Sequence, residues 1–180
     1  MEKLGSNLIS KKNKIGILGG SFDPAHNGHL TISKEAIKRF KLKKIIWAIT
    51  KKNPLKKKSN TSLSLRIKFC KKILKKTRLI EVKFYEDRIK SNKTVDLIKH
   101  FSKNEKNEIY FIIGADNLIN FHKWHKWEAI LKNCNIIVFD RHGFKKKSLN
   151  SKTYKRFNKI NLKFIEFDKV NISSSQLRKI

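Results

Sequence analysis

Apolar positions along this chain fall into two rhythms. Short apolar stretches at residues 14–18, 44–50, 79–84, 108–113, 135–139 and 163–167 read as buried strands. Between them, residues 27–40, 62–76, 94–102 and 116–131 carry apolar side chains every three or four positions, the spacing of a helix with one inward face. In the first of these the stripe is Leu30, Ile32, Ala36, Ile37 and Phe40; the last reads as broken near residues 121–124. Strand alternates with helix throughout, which predicts an α/β fold with a doubly wound, mostly parallel sheet covered on both faces. Such sheets bind ligands beyond the carboxyl ends of their strands, at a topological switch point. Gly19, Thr50, Gly114 and Asp140 all fall at such ends.

Composition narrows the class. At 180 residues, with no long Pro, Gly or Ser tract and no internal repeat, the chain reads as one domain over residues 14–180 behind a flexible tail at 1–13. The tail lacks the apolar centre of a signal peptide, and no apolar run approaches the roughly 20 residues that cross a bilayer. A soluble, cytoplasmic protein with no membrane partner is expected. Cys70 and Cys134 lie far apart among apolar neighbours and read as buried free thiols. His122 and His125 have no cysteine or acid at ligand spacing, so no protein-held metal is expected.

The formal net charge of +30 changes this picture less than its size suggests. A nucleic-acid binder gathers lysine and arginine on one arm or face. Here lysines recur in 41–44, 51–58, 71–76 and 145–147, which reads as a solvated basic surface without a specific nucleic-acid partner. Such a surface still steers anionic nucleotides toward the protein.

The candidate chemistry is concentrated in residues 15–29. Ile15, Ile17 and Leu18 suit a buried strand; Gly19-Gly20 permits a tight turn and close approach of a ligand; Asp23-Pro24 is turn-prone. A helix beginning near Asn27 presents backbone N–H groups, and His26 and His29 stand one turn apart at that end. The unit is an anion site. It is neither a Walker A loop nor Gly-x-Gly-x-x-Gly.

Gly-Ser-Phe-Asp-Pro-Ala-His-Asn-Gly-His at 20–29 resembles the signature of the nucleotidyltransferases with the His-x-Gly-His motif, and Ile-Ser-Ser-Ser-Gln-Leu-Arg at 172–178 is similar to their second motif. Within that superfamily, residues 110–131 and 47–56 resemble bacterial nicotinate-nucleotide adenylyltransferases. The resemblance implies a Rossmann-like fold and transfer of AMP from ATP to nicotinate mononucleotide, with pyrophosphate released. It implies that His26, His29 and Arg178 are catalytic, and that Gly19, Gly20, Ser21, Phe22, Gly114, Asp116, Ser173 and Ser174 line the ATP site. Of the loop lysines, Lys56 is the one expected at the triphosphate. Thr94 and Trp124 fall on the acceptor side, Trp124 stacking on the nicotinate ring while Trp127 is core. Asp23 is assigned there too, with turn capping left open as its role. Magnesium is expected to arrive with ATP. The nearest alternatives are another transferase of the same fold, such as a phosphopantetheine adenylyltransferase, and a basic nucleic-acid-binding module with a vestigial nucleotide site.

Two positions depart from the family pattern. Asn92-Lys93-Thr94 stands where Ser-Tyr-Thr is common, and His125 where an aromatic follows the stacking tryptophan. Lys93 and His125 are therefore candidates for selecting the acid over the amide form of the acceptor.

Overall fold

The computed structural model describes residues 12–51 and 61–166. Strands β1 (Asn13–Gly20), β2 (Lys44–Ile49), β3 (Ile80–Phe84), β4 (Asn107–Gly114), β5 (Asn135–Phe139) and β6 (Leu162–Ile165) form one sheet in the order β3-β2-β1-β4-β5-β6. Every pairing is parallel, where the sequence predicted a mostly parallel sheet. The chain builds outward from β1 to β3 and then returns to the centre for β4, so the switch point lies between β1 and β4.

Side-chain alternation along the strands divides the core in two. Leu18, Ile45, Trp47, Tyr110 and Ile112 face the helices α1 (Asn27–Phe40) and α2 (Leu63–Leu74). Beyond the short α3 (Glu86–Ile89), helices α4 (Thr94–Ser102), α5 (Ala115–Ile119) and α6 (Trp127–Asn133) cover Ile15, Ile17, Ile46, Phe111 and Ile113. Helix α1 ends where Lys41 turns left-handed at φ 53° and returns its N–H to the Ile37 carbonyl.

Expected and observed elements coincide for α1, α4 and β5. The expected helix over 116–131 is instead α5, a 3-10 turn (Phe121–Lys123) and α6, broken where foreseen. Helices α3, α7 (Lys145–Leu149) and α8 (Lys152–Phe157) were not foreseen, because none is long enough to display a helical period. β1 starts at Asn13, one residue inside the expected tail. Trp127 is only half-buried: its ring meets Phe157 edge-on at 5.7 Å, and the Arg156 guanidinium lies 5.9 Å above it. Cys70 and Cys134 are buried free thiols, and burial pushes each up to about 12. No helix among the described residues is long and apolar enough to cross a membrane.

Candidate active site

The connection from β1 to α1 carries the first half of the site. Gly19 and Gly20 belong to β1, held in register with Ala48 and Ile49 of β2, so the expected turn at the glycine pair is displaced. The reversal falls at Phe22, whose φ is 49°, and at the cis peptide between Asp23 and Pro24. A left-handed conformation costs a non-glycine residue roughly 1–2 kcal/mol. Burying a phenylalanine side chain stabilises by about 1.5–3 kcal/mol, and Phe22 is 1% exposed with its ring stacked 5.0 Å from Trp47. Packing therefore holds the turn. Asp23, 4% exposed, is buried in the same turn, which fits the turn-supporting role left open for it. Gly19 remains exposed; a Cβ there would meet only the Phe111 ring, at an ordinary 3.4 Å, so the missing side chain leaves room on the solvent side of the strand end.

Helix α1 begins against this turn with His26 as its extended N-cap and no acidic residue in its first turn. The positive end of the helix is thus not neutralised by its own side chains. The His26 and His29 rings lie 3.8 Å apart. The His26 backbone N–H donates to His29 Nδ1 at 3.3 Å, which places the proton of a neutral His29 on Nε2 and makes that atom a donor. Ser33 ties the helix to the sheet: its hydroxyl donates to the His29 carbonyl at 2.7 Å and accepts from Trp47 Nε1 at 2.9 Å. His26 Nδ1 is buried with no hydrogen-bond partner among the described residues. Burial, reinforced by the Arg141 cation, lowers the His26 pKa to about 4, so its ring is neutral at pH 7.

Arg141 follows β5 and donates to the Asp116 carboxylate at 2.8 Å. Asp116 sits in the first turn of α5, directly beyond β4. A Cβ added at Gly114 would come within 2.5 Å of Asp116 Oδ1, so glycine at the end of β4 is what allows that carboxylate its position.

The surface at the start of α4 is more open. Lys93 caps α4 from an extended conformation, and Thr94 is the first helical residue. The Ser91 hydroxyl accepts from the Lys93 N–H at 3.1 Å and donates to Asp96 at 2.7 Å, fixing the entry to α4. An open hollow of 650 Å³ lies here, lined by Glu86, Asp87, Lys90, Ser91, Asn92 and Lys93. Trp124 is half-buried, 4.8 Å from Phe121 and edge-on to Phe111 at 6.2 Å; its indole N–H finds no partner among the described residues. His125 is exposed.

A model of cytidylyltransferase-like proteins matches residues 17–180. A chain from Pelagibacter ubique, named a probable nicotinate-nucleotide adenylyltransferase, is 64% identical over the full length of both. The chain belongs to the nicotinate-nucleotide adenylyltransferase family. A relative of the same name from Clostridium botulinum is 36% identical over 92% of this chain and 84% of its own. The fold recurs in the nicotinic acid mononucleotide adenylyltransferase of Plasmodium falciparum at a TM-score of 0.76 and 24% identity, covering 93% of this chain and 83% of that one.

Arg178, Ser173, Ser174 and Lys56, assigned to this adenylyltransferase from sequence, lie outside the described residues. Those described fall at three places: the strand ends and α1 terminus with Gly19 to His29, Gly114 and Asp116; the entry to α4 with Lys93 and Thr94; and the residues after the 3-10 turn, Trp124 and His125. Sequence reasoning missed Ser33, Arg66, Glu86 and Arg141. One signal was available for Arg66: it falls on the inward stripe of α2 with Cys70 and Leu74, a charged residue at an apolar phase. Arg141 and Glu86 gave none, since each lies just beyond a strand in a segment without periodicity.

Proposed function

We propose that the cleft beyond β1 and β4 transfers AMP from ATP to nicotinate mononucleotide, giving nicotinate adenine dinucleotide and pyrophosphate. The observation that carries this reading is the pair His26 and His29 at the acid-free start of α1, in a chain of this family. A phosphate oxygen of the mononucleotide attacks the α-phosphorus in line; its P–O bond forms as the bond from that phosphorus to the bridging oxygen breaks, and pyrophosphate leaves. The attacking oxygen is already ionised, so no protein nucleophile is needed. Positioning and charge stabilisation supply the catalysis.

His29 offers Nε2–H, and the α1 terminus its N–H groups, to phosphate oxygens. His26 is neutral without substrate, but a polyanion beside it favours the charged ring and raises its pKa again. Gly19, Gly20 and the Ser21–Phe22 backbone lie along the triphosphate, with Gly114 and Asp116 toward the nucleotide sugar. Arg178, Ser173, Ser174 and Lys56 complete the phosphate contacts in this proposal. Magnesium comes as part of the ATP complex, bound through phosphates and water. Trp124 stacks on the nicotinate ring, Thr94 donates to its carboxylate, and Lys93 and His125 favour the acid.

Pyrophosphate release tests the reading, with ATP and, in turn, nicotinate mononucleotide, nicotinamide mononucleotide and pantetheine phosphate. Fastest turnover with the first is expected. Preference for pantetheine phosphate, or release with none of them, overturns the assignment.

A further inference from the structure

Arg66 is 2% exposed, its side chain turned inward from α2. Nη1 donates to the Ser21 carbonyl at 2.6 Å and the Thr50 carbonyl at 2.8 Å, Nη2 to the Lys51 carbonyl at 3.1 Å, and Nε to the Thr61 carbonyl at 3.1 Å. One guanidinium thus joins the β1–α1 turn, the exit of β2 and the approach to α2. No carboxylate among the described residues pairs with it. Glu86 grips the same strand exit through other atoms, accepting from the Thr50 hydroxyl and from the Lys51 N–H at 3.1 Å.

A cation buried at this depth is costly, and arginine is rarely found there unless its donors are satisfied. The neighbouring inward positions of α2 are filled by Cys70 and Leu74, so helix packing alone does not call for a guanidinium. What it holds is the Ser21 carbonyl. In a trans peptide the C=O and N–H point in opposite directions, so drawing that carbonyl to Arg66 turns the Phe22 N–H away from the guanidinium. The same bond braces the left-handed turn at Phe22 that leads into His26.

We propose that Arg66 is a positioning residue for adenylyl transfer: through Ser21 it sets the turn that places the α1 terminus, with His26 and His29, against the ATP phosphates. The inference rests on the nucleotide-site reading above. Lysine keeps the charge but concentrates its donors at one point, and cannot span carbonyls from separate segments as the planar fork does.

The test is steady-state kinetics of Arg66→Lys and Arg66→Gln in the full chain, each substrate varied in turn, beside thermal unfolding. Misplacement of the terminus lowers kcat/KM for ATP roughly 10²-fold in folded Arg66→Lys, while the KM for nicotinate mononucleotide moves less than about twofold. A residue that merely stabilises the fold lowers the unfolding midpoint and the fraction of active molecules but leaves kcat per folded molecule and both KM values unchanged; that result overturns the proposal. An active unmutated enzyme that Arg66→Lys matches also overturns Arg66 alone, whereas an unmutated enzyme inactive with every acceptor overturns the site reading and this inference with it. Should neither variant fold, the Arg66 side-chain N–H signals of the unmutated protein in ¹⁵N NMR decide. A shift on adding a non-hydrolysable ATP analogue, but not on adding acceptor alone, supports positioning; no shift overturns it.

Discussion

The two walls of the proposed cleft are built differently. The α1 wall is over-determined: Phe22 is stacked on Trp47, Ser33 links His29 to the sheet, and Arg66 holds Ser21. The wall proposed for the acceptor is half-exposed, with Lys93 and His125 in solvent and Trp124 resting on Phe121. The chemistry proposed for the two sides accounts for the contrast. A triphosphate presents the same charges in every turnover, and rigid donors stabilise its transition state without reorganising. Choosing between a carboxylate and an amide depends instead on a few contacts at the rim. Substitutions on the first wall should therefore reduce rate for every acceptor, and those on the second should change which acceptor is used.

The largest effect is expected at the histidines. Either His26→Ala or His29→Ala should lower kcat by roughly 10²–10³-fold, as loss of one transition-state donor does, with equal loss for both mononucleotides. Unequal loss would break the division between the walls. Next, Gly114→Ala forces the Asp116 carboxylate from its place beside Arg141, and kcat/KM for ATP should fall roughly tenfold while acceptor KM holds. Trp124→Ala removes a ring stack of about 0.5–1.5 kcal/mol and should raise the acceptor KM roughly three- to tenfold, with ATP KM unchanged. Lys93→Ala and His125→Ala come last: contacts of exposed polar side chains are worth under about 1 kcal/mol. Each should lower the ratio of nicotinate to nicotinamide mononucleotide turnover about two- to fivefold, and less at high salt.

Stability against pH sharpens the comparison independently of turnover. Burial holds His26 near 4 in the folded protein against 6.5 in the unfolded chain. As pH falls through that interval the unfolded chain takes up the proton first, so His26 draws stability away between 6.5 and 4 and has no effect on the slope above 6.5. Unfolding midpoints of the unmutated protein should decline more steeply across this window than those of His26→Ala. Parallel curves would show that the ring is not held neutral by its surroundings.

Much of this was legible in the chain. Strand and helix order followed from the two apolar periods, and α1, with its histidine pair, was bounded to the residue. The glycine pair misled because local propensity names a turn, whereas pairing with β2 carries β1 through Gly20 and passes the reversal to Phe22. No local rule selects a phenylalanine for a left-handed turn; that choice depends on Trp47, more than twenty residues away. Glu86 and Arg141 were hidden for the same reason, and Arg66 showed only its misplaced charge on the inward stripe of α2, since the partners of all three come from other segments of the chain.

In the proposed reaction the adenylyl group moves directly between phosphates. This transfer is tested most directly by incubating the protein with nicotinate mononucleotide and ATP labelled at the α-phosphorus. All transferred label is expected in nicotinate adenine dinucleotide, with stoichiometric unlabelled pyrophosphate and none on the protein. Label retained covalently on the protein, or a dinucleotide without label, would contradict it.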